Sequence, residues 1–268
     1  MSDAAPALAR CVREAIIEQS FRAGVGHIGS ALSVADILAA LFAGTLRGEP
    51  GDDDRDRFIL SKGHAALGLY AVLFVKGRLT SRQLESFCGE GSVLGVHPEH
   101  VLDGVDFSTG SLGHGLSIGA GAALAARMQG SARRTYVLLS DAECNEGSVW
   151  EAVMFAAHHG LGNLHAVIDV NGQQALGKTC DVLDLEPLGD RFAAFGWRVF
   201  DVDGHDLDAL AEALDGGGGD DSPSVVLART TFGRGVSYME GQLQWHYWPM
   251  NDEQHAEAVA DLAREGGA

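Results

Sequence analysis

Between positions 6 and 23 apolar residues return at Leu8, Val12 and Ile16 with charged residues between them. That is the period of a helix packed along one side, and Gly24 and Gly26 predict its end. Three later runs, 135–139 (TYVLL), 164–168 (LHAVI) and 224–228 (SVVLA), are apolar almost throughout and rich in β-branched residues. Such a run has no face to give to water, so each predicts a strand covered on both sides. Helical patterns separate the runs, and strands joined through helices lie parallel. The predicted fold class is therefore α/β, a mainly parallel sheet with helices on both faces. Residues 49–57 (EPGDDDRDR) predict a polar connection where the first helices end, and 216–219 (GGGG) a plain loop before a strand. No repeat and no long linker interrupts the pattern, which predicts one domain over residues 1–268.

Composition narrows the class. A chain of 268 residues with 46% hydrophobic content can bury a substantial core. Its 37 acidic against 19 basic residues give a formal charge of -18, a field that repels phosphate backbones and anionic membranes, so neither nucleic acid nor membrane is an expected partner. Cys11, Cys88, Cys144 and Cys180 lie too far apart for a zinc site or a redox dithiol, which fits a reducing cytoplasm. The first residues carry charges throughout, without a basic segment followed by an apolar run, so a cytoplasmic, unexported protein is expected.

Candidate chemistry concentrates where a predicted strand runs into SDAECNEGSVWEA and the next into IDVNGQQALG. Ligands of open parallel sheets collect at the carboxyl ends of strands. Asp141 and Asn171 occupy two such ends, 171 − 141 = 30 positions apart, about one strand–helix–strand unit, which would bring them out side by side. A carboxylate and an amide carbonyl are hard oxygen ligands for Mg²⁺ or Ca²⁺. Turn formation alone also accounts for an Asp and an Asn there. Residues 146–148 (EGS) predict a helix start whose amino end favours an anion. Residues 24–29 (GVGHIG) match GxGxxG letter for letter, yet follow a helical pattern instead of a strand, which argues against a dinucleotide site.

Five ordered blocks then carry a resemblance: GHIGSALSVADIL, DRFILSKGHAALGLYAVL, GVHPE with STGSLGHGLSIGAGAAL, SDAECNEGSVWEA with IDVNGQQALG, and TTFGRGVSYMEGQLQWHYWPMNDEQ. Over nearly its whole length the chain resembles the N-terminal part of transketolase, particularly versions encoded as two subunits. The resemblance implies thiamine diphosphate as cofactor, with a divalent metal held by Asp141, Asn171 and the backbone carbonyl of Gln173. The glycines that flank the metal-binding Asp in that family are here Ser140 and Ala142. Ala142 keeps a backbone N–H for phosphate, while its Cβ is expected to restrict the turn.

By the same resemblance His64 contacts the diphosphate, His27 and His97 face the substrate channel as hydroxyl ligands or proton carriers, and His246 lies near the diphosphate and the reacting carbons. Read singly, a loop histidine is an ordinary solvated residue. Gly113 matches the glycine against the aminopyrimidine ring, though close helix packing also calls for glycine, and His114 stands where many relatives have Gln. Glu146 matches a glutamate that reaches across a subunit boundary toward the carboxylate that activates the cofactor. A helix-terminal acid would explain it equally well.

That activating glutamate belongs to a separate pyrimidine-binding domain, for which these 268 residues show no second parallel-sheet pattern. The expectation is a partner subunit resembling the C-terminal part of transketolase, in a heterotetramer, and transfer of a two-carbon ketol unit from a sugar. The alternatives are a thiamine-dependent 2-oxo acid decarboxylating or acyl-transferring subunit, and a non-catalytic structural partner.

Overall fold

The computed structural model describes residues 4–216 and 221–265. The strands are β1 (Arg57–Leu60), β2 (Thr135–Ser140), β3 (Leu164–Val170), β4 (Gln173–Gln174), β5 (Gly177–Lys178), β6 (Arg198–Asp203) and β7 (Ser224–Arg229). Five of them form one parallel sheet in the order β1-β2-β3-β7-β6, and β4 with β5 makes a small antiparallel hairpin. The expected α/β class is what the chain adopts. Alternate strand residues feed two separate cores. Tyr136 and Leu138 of β2 and Val226 and Ala228 of β7 join the helices Ala4–Ala23, Ile28–Ser33, Ala35–Ala40 and Ala66–Val75 on one side. Val137, Leu139, Val225 and Leu227 join the helices His114–Met128 and Gly147–His158 on the other. Helices therefore cover both faces.

The three apolar runs are strands, each reaching one or two residues beyond its apolar part, to Ser140, Val170 and Arg229. Those polar ends lie where the sheet opens to the site, outside what an apolar pattern can mark. Two strands lie outside the prediction. β1 begins at Arg57, the last position assigned to the polar connection, because its four residues are too few to display a period. β6 (RVFDVD) is a half-exposed edge strand interrupted by aspartates. The first helix starts at Ala4 instead of position 6 and ends as expected, with Gly24 at φ +64° and its N–H returning to Ser20. Of the 216–219 loop, Gly216 follows the helix Leu207–Asp215 directly, and 217–219 lie outside the described residues.

Two glycines let the helix His114–Met128 ride directly on the sheet. A Cβ at Gly115 would fall 2.2 Å from the Ser61 hydroxyl, and one at Gly119 would fall 2.4 Å from Cγ2 of Val137. A larger residue must push this helix, and the Gly113 loop that precedes it, off the strands. Gly119→Leu is predicted to cost about 1–3 kcal/mol by overpacking. Urea unfolding followed by circular dichroism measures this, and an unchanged midpoint would contradict the packing described.

Candidate cofactor site

Asp141 follows the last residue of β2, and Asn171 the last of β3, in adjacent parallel strands whose register pairs Ser140 with Asp169. The two side chains emerge side by side, as their spacing predicts, at the rim of a cleft of about 550 Å³ that Gly172, Gln173 and Thr230 also line. Oδ1 of Asp141 accepts the N–H of Ala142 (2.8 Å) and Oδ2 that of Gly172 (2.9 Å). Burial, and then the neighbouring Asp169 carboxylate, push the Asp141 pKa up to about 6 against those hydrogen bonds and against Lys62. This rim thus carries more negative charge than the protein compensates, and a cation would relieve it. Asn171 accepts the Gln173 N–H at its Oδ1 (3.0 Å) and donates Nδ2 to Asp169 (2.8 Å).

This donor set fits a hard divalent ion. No three His, Cys, Asp or Glu among the described residues are grouped to hold a metal, so an ion here would draw on Asn171 and a main-chain oxygen beside the one carboxylate. Ala142 opens a short 3-10 turn, Ala142–Asn145, and the non-glycine residues with positive φ are His27 and Cys88. Neither Ser140 nor Ala142 therefore occupies a conformation that demands glycine.

Three of the four candidate histidines meet. Ring centroids of His27 and His64 are 5.6 Å apart, and His246 lies 5.4 Å from each. His27 holds a left-handed backbone (φ +64°) just before the helix Ile28–Ser33, and its N–H donates to the His246 carbonyl (3.2 Å). Nε2 of His64 shares a hydrogen bond with the Ser30 hydroxyl (2.9 Å). Burial is the first cause holding all three pKa values down. His64 goes well below the ordinary range with help from Lys62 and the other rings, His246 to about 4 with help from His27 and Lys62, and His27 lower with help from His97. At neutral pH the trio is uncharged, and Nδ1 of His27 and of His246 is buried without a hydrogen-bond partner. His97 stands apart and exposed, its ring against Gly110, whose backbone abuts Gly63 beside His64. The GxGxxG-like stretch is a packing joint: a Cβ at Gly26 would lie 2.3 Å from the Tyr247 carbonyl oxygen and one at Gly29 2.2 Å from the Phe232 ring.

Gly113 is left-handed (φ +84°) and buried, and a Cβ there would meet Cβ of Glu146 at 2.5 Å. Its N–H donates to Oε1 of Glu143 (2.7 Å), and its carbonyl accepts from the Ser148 hydroxyl (3.0 Å). Glu146 takes the N-cap position of the helix Gly147–His158, yet its side chain makes no cap hydrogen bond and stays exposed. His114, at the first position of its helix, is exposed too.

Sequence reasoning missed the residues that tie these parts together. Lys62 and Asp169 are fully buried and paired. Asp169 Oδ2 accepts from Lys62, from Ser33 (2.7 Å) and from Asn171, and Oδ1 accepts from Thr230. A lysine and an aspartate at the polar ends of apolar strands read as solvated turn residues; the only sequence signal was their position two residues before His64 and Asn171. Lys62→Met leaves Asp169 buried without its cation and is predicted to cost about 3–5 kcal/mol, with part regained when Asp169→Asn is added. Chemical unfolding of the two single variants and the double variant measures the coupling, and additive losses would contradict it.

Comparison with known proteins agrees with this geometry. A family model for the transketolase thiamine diphosphate binding domain matches residues 5–265. One of the two subunits of an apulose-4-phosphate transketolase from Phocaeicola vulgatus is 40% identical over 256 residues, covering 94% of this chain and 91% of that protein. A 6-deoxy-6-sulfo-D-fructose transketolase subunit from a Clostridium species is 38% identical, covering 96% of each chain. A crystal structure of a transketolase variant from Pichia stipitis superposes with a TM-score of 0.91 at 31% identity, over 97% of this chain and 41% of that one. The chain belongs to the family of transketolase thiamine diphosphate binding domains.

Proposed function

We propose that this chain, as one unit over the matched residues 5–265, is the diphosphate-side subunit of a two-polypeptide, transketolase-like enzyme that moves a two-carbon ketol unit between sugars in the cytoplasm. The observation that carries the reading is the meeting of Asp141 and Asn171 at one charged rim, with a trio of neutral histidines built into the same end of the sheet. Asp141, Asn171 and the Gln173 carbonyl would hold Mg²⁺ or Ca²⁺, and the Ala142 N–H, His64 and His246 would face the diphosphate. Bound thiamine diphosphate would supply the carbon acid that takes up the two-carbon unit. The chain's own part is placement: Gly113 leaves room for the ring, and the partnerless Nδ1 atoms of His27 and His246 can bind sugar hydroxyls or take a proton. His97, exposed beside that trio, would meet the substrate from the channel side. Such a set suits a polyhydroxylated ketose better than a 2-oxo acid with few hydroxyls.

The partner reading draws support from two sides. Glu146 and His114 project exposed beside buried Gly113, where a second polypeptide bearing the pyrimidine-binding domain and its activating carboxylate would close the site. The relatives that match along nearly their whole length are named as subunits, of transketolases for a phosphorylated and a sulfonated sugar. The assembly would hold two copies of each chain. No helix among the described residues is long and apolar enough to cross a membrane, and the four cysteines are free.

Two outcomes follow from this reading. The chain alone should show no ketol transfer, and adding the C-terminal-type subunit should restore it as a heteromer forms. An assay run beside size-exclusion light scattering reads both, and full turnover by a homo-oligomer of this chain would overturn the split-enzyme reading. Asp141→Ala should abolish metal-dependent binding of thiamine diphosphate to the assembled complex in calorimetric titration, because the diphosphate cannot replace an anionic ligand. Unchanged affinity would remove Asp141 from the metal site.

A further inference from the structure

The residue after Ala142 has no role in the site as described, yet it touches more of it than any ligand does. Glu143 is fully buried in the short turn Ala142–Asn145. Its Oε1 accepts two hydrogen bonds, from the Gly113 N–H (2.7 Å) and from the Ser61 hydroxyl, and its Oε2 faces the Ser140 N–H at 3.4 Å. The Ser61 oxygen in turn accepts the N–H of Gly115 (3.1 Å), and the Glu143 N–H donates to the Ser140 hydroxyl (3.2 Å). One carboxylate thus joins three segments distant in sequence: 61–64, which leads into His64; 113–115, which carries the left-handed glycine; and 140–143, which carries Asp141.

Burying a carboxylate costs free energy unless its oxygens are satisfied, and a packing role alone is filled more cheaply by an apolar side chain. The donors that satisfy this one are main-chain and hydroxyl groups of segments that face the cofactor, and Gly113 can move only if this contact is released. Its carbonyl is held separately by Ser148, so both sides of the Gly113 peptide are fixed. Such a clamp sets the distance between the diphosphate end of the site and its ring end before anything binds, which is the condition for low reorganisation cost on binding.

We propose that Glu143 is a positioning residue that locks the ring-side Gly113 loop to the diphosphate-side Ser61–His64 segment, so that thiamine diphosphate meets a preformed cradle. The inference rests on the function proposed above and concerns Glu143 alone. Removing the carboxylate should weaken the cofactor about 10- to 100-fold, the usual size of an effect carried through an outer-shell hydrogen bond. A ligand lacking the ring should feel much less of it.

The experiment uses the complex of this chain with its partner subunit, titrated calorimetrically with thiamine diphosphate and with inorganic pyrophosphate, each with Mg²⁺. Glu143→Ala should lose thiamine diphosphate affinity by that factor and pyrophosphate affinity by clearly less. Glu143→Gln should recover most of the loss, since an amide oxygen still accepts from Gly113 and Ser61. Ser61→Ala, which removes one arm of the clamp, should fall between them and serves in place of the alanine variant if that fails to fold. Wild-type affinity in Glu143→Ala, or in Ser61→Ala where it stands in, would overturn the inference, as would equal losses for both ligands with no recovery in the glutamine variant. A wild-type complex that takes up no thiamine diphosphate would overturn the function itself, an outcome these variants do not imitate.

Discussion

The buried pair of Lys62 and Asp169 is the interaction on which the site depends. Asp169 is the penultimate residue of β3, in the middle of the sheet, and its carboxylate gathers groups from the end of β1 (Lys62), the end of β3 (Asn171), the end of β7 (Thr230) and the helix Ile28–Ser33 (Ser33). Neither charge could stay in that position without the other. The same helix holds His64 through Ser30, and the same lysine lies two residues before that histidine. A disturbance at Asp169 therefore reaches both the Asn171 rim and the histidine trio.

Charge is distributed over the site in a consistent way. Asp141 is short of positive charge, while the three histidines are kept neutral by burial, by one another and, for His64 and His246, by Lys62. A cation at the first and an anionic diphosphate near the second would each offset a cost that burial imposes there. The two ends lie together because β1, β2, β3 and β7 run parallel, which puts every strand-to-loop junction on one edge.

Much of this was legible in the sequence. The three apolar strands, the first helix and the pairing of Asp141 with Asn171 followed from periodicity and from a spacing of one strand–helix–strand unit, because local pattern and global fold agree there. The resemblance drew attention to His27, His64 and His246, which the fold brings within ring contact, and to His97, which stays on the rim. What escaped notice was set by tertiary structure. β1 and β6 lack a readable period, one by its length and the other by its place at the sheet edge. Lys62, Asp169 and Glu143 are charged residues next to turns, where solvation is the ordinary expectation, and only the packing of distant segments buries them. Replacement of the family's glycines by Ser140 and Ala142 looked restrictive in sequence, but the turn there uses ordinary backbone angles.

The central claim is that the ends of β2 and β3 form the seat of a metal that anchors a diphosphate. Its most direct test is a crystal structure of the assembled complex grown with thiamine diphosphate and Mn²⁺ in place of Mg²⁺, read by anomalous scattering. The account predicts one strong peak bonded to Asp141, Asn171 and the Gln173 carbonyl, with diphosphate oxygens completing the shell. A cofactor seated elsewhere, or a diphosphate bound with no metal between those two strand ends, would contradict it.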